Sequence, residues 1–196
     1  IQFGEDTGGQ IGIASRGIWA FEGRALFLLD GVSMSKIGYG TFSQFNHIPV
    51  ETIKKIEIIR GPGSTIYGGN AELLVVSIIT KKAEEVNGAE VTGKYSVFAN
   101  KSDLRVDEYG HRSTSASAGI KKEDMSLVGH IGLSDARLSN QTYTSAFGES
   151  LDLTDNSKVQ NFNVNVAAEV SDLTIRFVGD SHNTEDRTRL GYAILS

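Results

Sequence analysis

Ile56-Glu57-Ile58-Ile59-Arg60-Gly61-Pro62-Gly63-Ser64-Thr65-Ile66-Tyr67-Gly68 changes its conformational grammar twice in a short span. The first five residues are rich in isoleucine and read as a strand. Gly61, Pro62 and Gly63 cannot continue it, because glycines take backbone angles that other residues resist and proline fixes one φ at the bend. Ser64 is a capping residue type, and the helical turn it opens is stopped at Tyr67-Gly68-Gly69-Asn70. The plain reading of Gly61, Pro62 and Gly63 is a tight strand-to-helix turn. A phosphate-cradling loop is rejected, since the Lys-Ser/Thr pair that completes one is missing and no general base or metal cluster stands nearby.

Outward from this turn, two further apolar runs read as strands: Arg24-Ala25-Leu26-Phe27-Leu28-Leu29-Asp30, and Leu73-Leu74-Val75-Val76-Ser77-Ile78-Ile79-Thr80. Continuous apolar runs of this length suit strands buried on both faces. Residues 49–55 carry Pro49 and Glu51 at the start and Lys54 and Lys55 at the end, the polarity a short helix dipole prefers. Up to about Lys82 the expectation is three short strands and small helices, hence a small mixed sheet.

Beyond Glu84 the pattern becomes strict alternation. Ala89, Val91, Gly93, Tyr95, Val97 and Ala99 share one face of the first segment, with Phe98 the exception. Four more segments follow the same dyad period over residues 114–120, 127–133, 161–170 and 173–177, with apolar residues opposing Ser, Asn, His, Thr and Arg. Their links alternate too: residues 121–124 and 171–172 suit tight hairpins, whereas 100–112 and 134–158 are long and polar. Short turns on one rim and long loops on the other are how outer-membrane barrels are built, with the short turns periplasmic.

Composition agrees with β-structure. The 196 residues include 22 Gly but only 2 Pro, and 39% are hydrophobic. No apolar run is long enough for a membrane-spanning helix, but a barrel needs none. The absence of Cys excludes thiol catalysis, disulfides and Cys-based metal sites. A net charge of −5 argues against a nucleic-acid partner, because phosphate binding wants a basic face. His47, His111, His130 and His182 are scattered without ligand-type spacing, and Asp30, Glu57 and Asp103 form no acid–base pair, so no catalytic or metal centre is expected. The chain opens on Ile1-Gln2-Phe3-Gly4-Glu5-Asp6, with neither the charged nor the apolar region of a secretory signal.

The first part resembles the plug domain of TonB-dependent outer-membrane receptors. The resemblance rests on Ile13-Ala14-Ser15-Arg16-Gly17, on Ala25-Leu26-Phe27-Leu28-Leu29-Asp30-Gly31-Val32, on residues 48–71 around the opening stretch, and on Ile78-Ile79-Thr80-Lys81, all in order. It departs after Ala71, where Glu72-Leu73-Leu74-Val75-Val76-Ser77 replaces the glycines usual in the family. The resemblance implies an α+β small mixed-sheet plug over residues 1–83, incomplete at its start. Residues 84–196 are then the first about five antiparallel strands of a transmembrane β-barrel, a fragment of a twenty-two-stranded one.

It further implies a receptor in the bacterial cell outer membrane that imports a scarce nutrient, such as a ferric siderophore, haem or cobalamin, with the plug gating the pore. Its partners are TonB, through an N-terminal motif absent from this sequence, outer-membrane lipid and a small-molecule ligand. A signalling or phage- and bacteriocin-docking receptor on the same fold is the rival, and a soluble phosphate-binding enzyme the distant third. No intrinsic cofactor and no covalent chemistry are implied. Arg16 and Arg60 are expected to pair with acidic residues of later barrel strands, the plainer alternative being exposed strand ends. Gly61, Pro62, Gly63, Tyr67 and Gly68 form the plug turn motif. Trp19, Tyr39, Phe42 and Gln44 lie in aromatic, glycine-loosened stretches beside the strand ending at Asp30 and are the expected ligand contacts. Packing of the plug against the wall is the equal alternative for them.

Overall fold

The computed structural model describes residues 2–5, 11–15, 18–19, 24–34, 47–61, 63–68, 71–97, 109–137, 139–144, 148, 150–153 and 157–184. The chain divides into two compact units, Ile1–Lys81 and Lys82–Ser196.

The first unit holds a three-stranded antiparallel sheet, with β1 (Gln2–Glu5), β2 (Ile11–Ser15) and β3 (Ile18–Trp19) in that order. It also holds a four-stranded sheet built from β4 (Ala25–Leu29), β5 (Val32–Ser33), β6 (Ile53–Arg60) and β7 (Leu74–Thr80), ordered β5-β4-β7-β6. A one-turn helix, α1 (Ser64–Tyr67), separates β6 from β7. Because β7 runs parallel to β4 and antiparallel to β6, the second sheet is mixed.

Its core lies on both faces of β4 and β7. Ala25, Phe27, Leu74 and Val76 cluster on one side, with Met34 against them. Leu26, Leu28, Val75 and Ala71 cluster on the other. Continuous apolar runs are what such doubly covered strands need. At the end of β4, Asp30 enters the left-handed region at φ 48°. Its carboxylate accepts hydrogen bonds from the Thr80 amide and the Thr80 hydroxyl, both at 2.8 Å, which ties the ends of β4 and β7 together.

Three expectations need correction in this unit. The helix read over residues 49–55 is only a 3-10 turn, Val50–Thr52, and Lys54 and Lys55 belong to β6. Ladder pairing of Ile53 with Thr80 and Lys55 with Ile79, across an irregularity, outweighs the weak preference of charges for helix ends. Second, β6 is an edge strand and not a buried one: Ile56, Ile58 and Ile59 are 46%, 44% and 44% exposed. Third, the strands number more than three, because β5 and the sheet β1-β2-β3 were not foreseen.

The second unit is a five-stranded antiparallel sheet preceded by a short helix, α2 (Ala83–Val86). Its strands are β8 (Gly88–Val97), β9 (Tyr109–Lys122), β10 (Met125–Arg137), β13 (Lys158–Val170) and β14 (Leu173–Thr184). Between β10 and β13 the small hairpin β11 (Thr142–Thr144) and β12 (Ser150–Asp152) occupies part of the long link. Sheet order follows sequence order, as a meander requires. The strands are up to 14 residues long, longer than the alternating segments that announced them. Tight turns fall at Glu123-Asp124 and Ser171-Asp172, where Glu123 and Ser171 take φ 46° and 53°. Phe98 and Ala99, read as the end of the first segment, lie outside the described residues.

Candidate functional site

The strand-to-helix turn of the first unit is held by backbone hydrogen bonds. Gly61 N–H donates to the Leu73 carbonyl at 2.9 Å and Gly63 N–H to the Ala71 carbonyl at 2.8 Å, so both glycines are fastened to the segment leading into β7. Gly61 takes φ 116°, a conformation that L side chains rarely adopt. The demand at Gly63 is steric instead: an added Cβ would come 3.0 Å from Val75 Cγ2 in the core. The Gly63 carbonyl accepts from the amides of Ile66 and Tyr67, which closes α1, and Gly68 ends it at φ 88°. Tyr67 is 39% exposed and Ile66 is 81% exposed, so this turn presents an apolar surface beside a well-buried anchor.

Arg60 stands at the end of edge strand β6 and is exposed. Trp19 supplies the last backbone position of β3. Arg16, Tyr39, Phe42, Gln44 and Pro62 lie outside the described residues. Among the described residues no group of three or more His, Asp or Glu side chains could hold a metal.

The five-stranded sheet is inside-out for a protein in water. Its small and polar face is the buried one: Ser115 and Ser117 are 7% exposed, and His130, Asn163 and Asn165 are 3% exposed. Its apolar face is open, with Val91 73%, Leu127 49%, Leu133 54%, Ile175 63% and Phe177 63% exposed. The buried polar groups satisfy one another across the strands. His130 Nδ1 lies 2.8 Å from Ser117 Oγ, Arg176 donates to Asn165 Oδ1 at 2.9 Å, and Asn161 donates to Ser134 Oγ at 3.1 Å. Buried polar groups without partners would be expensive, so this ladder makes a polar interior tolerable. A wide apolar surface left open to water would be expensive too, and it is stable where lipid covers it.

Helix α2, which sequence reading missed, packs on the polar face. Ala83 clusters with Val128 and Ala167, with Val86 against them. The Lys82 amide donates to Glu85 Oε2 at 2.9 Å, which satisfies an otherwise orphan helix N–H. Lys82 Nζ lies 3.4 Å from Glu169 and Lys121 Nζ 3.6 Å from Glu84, both pairs half-exposed and worth little by themselves. Docking depends on Gly119: a Cβ there would stand 2.8 Å from the Ala83 carbonyl oxygen and 2.9 Å from Ala83 Cα, backbone atoms that cannot swing aside. Gly119→Ala is therefore expected to cost about 1–3 kcal/mol and to free the amides of Val86 and Asn87 for hydrogen exchange. Gly129→Ala, whose Cβ would meet only Val166 Cγ2 at 3.8 Å, is the matched control and is expected to leave them protected.

Comparison with known proteins follows this division. The family model of the TonB-dependent Receptor Plug Domain matches residues 1–72. Over 69 residues the chain is 41% identical to the vitamin B12 transporter BtuB of Vibrio vulnificus, covering 35% of this chain and 11% of that protein. Over 122 residues it is 32% identical to the ferric enterobactin receptor of Pseudomonas aeruginosa, covering 57% of this chain and 16% of that one. Among solved structures, the siderophore receptor PirA from Acinetobacter baumannii matches with a TM-score of 0.58 at 20% identity, over 93% of this chain and 27% of that one. The copper transporter OprC matches with a TM-score of 0.55 at 16% identity, over 93% and 26%. At those identities the structural likeness speaks for the fold alone.

Sequence and fold together thus define a plug domain followed by antiparallel strands that match receptor barrels. Residues 1–72 match the plug domain of TonB-dependent receptors, and the chain is similar to receptors and transporters of that class. It spans 11% and 16% of the length of the two curated relatives it matches.

Proposed function

We propose that this chain serves active import across the bacterial outer membrane, with residues 1–83 as the plug and residues 84–196 as the first strands of a twenty-two-stranded barrel wall. The inside-out sheet following a plug sequence carries the reading: an apolar open face suits lipid, and a polar, hydrogen-bonded face suits a lumen closed by a plug. The cargo is a large scarce nutrient, an iron chelate, haem or cobalamin; the names of the relatives, a vitamin B12 transporter and a ferric enterobactin receptor, support that class. TonB supplies the work by pulling on the plug, and binding with gating needs no covalent step, so the protein is not an enzyme. Trp19, Tyr39, Phe42 and Gln44 are the proposed ligand contacts. Arg16 and Arg60 are the proposed ion-pairing residues between plug and wall.

Uptake by cells carrying the complete receptor tests this, with cobalamin and ferric enterobactin as probes in the presence and absence of TonB. Accumulation of one probe that falls to background without TonB is expected. Accumulation indifferent to TonB would overturn the import reading, and accumulation of neither probe would remove cobalamin and ferric enterobactin as the cargo. In the same cells Arg60→Glu is expected to unseat the plug and raise permeability to bulky antibiotics, and unchanged permeability would remove Arg60 from the plug-seating role.

A further inference from the structure

The peptide that joins Lys81 to Lys82 has a fastened element on each side. Before it, the Lys81 amide donates to the Thr52 carbonyl at 2.9 Å, and the amide and hydroxyl of Thr80 both donate to the Asp30 carboxylate at 2.8 Å. Thr52 and Thr80 are themselves buried, so water competes poorly for these bonds. After it, Lys82 is already the cap of α2. One fastening ends at Lys81 and the next begins at Lys82, which leaves the link no slack of its own.

The seat of α2 is a single row of the five-stranded sheet. Register sets Gly88 opposite Gly119, Gly119 opposite Val128, and Val128 opposite Ala167. Three of those four residues are Gly or Ala, and on this low row Ala83 and Val86 pack against Val128 and Ala167. Gly119 lets the Ala83 backbone approach the sheet, as no residue with a Cβ could. Asn87 at φ 41° and Gly88 at φ 118° form the bend between α2 and β8, and both angles are ones most side chains resist.

The two fastenings differ in strength. A single helical turn has no stability in isolation, because nucleation fixes several residues for one hydrogen bond. α2 therefore exists only while it is docked, and its undocking and unwinding are one event. What holds it is a small apolar contact and two half-exposed ion pairs. The other fastening uses hydrogen bonds to a carboxylate, which are stronger than neutral ones, and it is continuous with the ladders that β7 makes with β4 and β6. Under a load on the link, α2 yields first. Four residues rise about 6 Å as helix and reach about 14 Å when extended, so release lengthens the link by about 8 Å.

We infer that α2 is a releasable tether: when the plug is pulled, it unwinds from its seat over Gly119 and lets out chain, while the end of β7 stays bonded to Asp30 and Thr52. The inference rests on the import reading above, in which TonB supplies the pull.

Hydrogen exchange of the complete receptor in liposomes tests the order of release without TonB. The amides of Val86 and Asn87, which donate to the Lys82 and Ala83 carbonyls, are expected to exchange about 10- to 100-fold faster than those of Thr80 and Lys81, the factor that one hydrogen bond to a charged group supplies. Equal exchange, or faster exchange at Thr80 and Lys81, would overturn the tether. In cells, Glu84→Cys/Lys121→Cys places a thiol on each side of an ion pair 3.6 Å apart, in a stretch of 196 residues with no Cys of its own, and a short bis-methanethiosulfonate reagent bridges the two. Bridging is expected to abolish TonB-dependent accumulation of whichever probe the parent imports, cobalamin or ferric enterobactin, and a reductant is expected to restore it. Either single variant treated with the same reagent is expected to import like the parent. Undiminished accumulation by the bridged receptor, or equal loss in the single variants, would overturn the tether. The two readings fail separately: accumulation by the parent that ignores TonB sinks the import reading, whereas TonB-dependent accumulation by the bridged receptor sinks only the tether.

Discussion

Ile131→Arg is expected to destabilise the complete receptor in a bilayer by about 2–4 kcal/mol. Ile131 is 41% exposed on the open face of β10, with Ala116 and Val164 as its cross-strand neighbours. In water, a charge at so open a position would change stability by no more than about 0.5 kcal/mol. In lipid the guanidinium must be dragged into hydrocarbon near the middle of the strand, and the cost is large because nothing there replaces its hydration. Depth makes the prediction discriminating. Val170, on the same face but beside the Ser171-Asp172 turn, is 45% exposed, and Val170→Arg is expected to cost only about 0–1 kcal/mol. Urea titration of the receptor folded into phosphatidylcholine vesicles measures both. Equal costs at Ile131 and Val170 would remove the membrane assignment of this face.

Leu74→Ala is expected to cost the first unit about 2–5 kcal/mol. Leu74 is fully buried, opens the central strand β7, and packs with Ala25, Phe27 and Val76. Truncation removes both its transfer free energy and its contacts, and a mixed sheet with neighbours on each side of β7 has little freedom to collapse into the space. Hydrogen exchange of the β4 and β7 amides in the complete receptor reads the effect. Ile58→Ala on edge strand β6, where the side chain is 44% exposed, is the comparator and should be much milder. If the two substitutions released the β4 and β7 amides equally, the core would not lie where these contacts put it.

The legible parts of the fold and the illegible ones differ for physical reasons. β4 and β7 were readable because a strand covered on both faces is apolar at most positions, and runs this short suit strands better than helices. β6 uses the same apolar vocabulary, yet it lies at the sheet edge, and nothing local to Ile56, Ile58 and Ile59 encodes which strand lies beside them. The glycine-rich strands β1 and β2 and the one-turn helix α2 are too short for periodicity to register. In the second unit the alternating segments were legible, but their ends were not. Beyond Ser134 on β10 and before Phe162 on β13 the two faces exchange character, with Asp135, Arg137, Lys158 and Gln160 on the open face and the buried pair Ala136 and Val159 on the other, so the period loses its phase while backbone pairing continues to Arg137 and Lys158.

The candidate site divides in the same manner. Gly61, Gly63 and Gly68 could be singled out from the chain alone, since a strand running into Gly-Pro-Gly and a capping serine has few conformations open to it. Which constraint each glycine answers needed three dimensions. Gly61 and Gly68 answer backbone angle, and Gly63 answers the nearness of Val75. Gly119 carried no local signal, because its obligation is to the backbone of Ala83, distant in sequence.

The amino-acid sequence by itself determined that five segments between residues 89 and 177 alternate with a dyad period, and hence which of their side chains share a face, because successive residues of a strand must point to opposite sides. Only the tertiary structure decided which face is closed and which is open. A period of two is the same whether apolar side chains pack against a core or stand outward, and that choice is made by the curvature, pairing and packing of strands far apart in the chain.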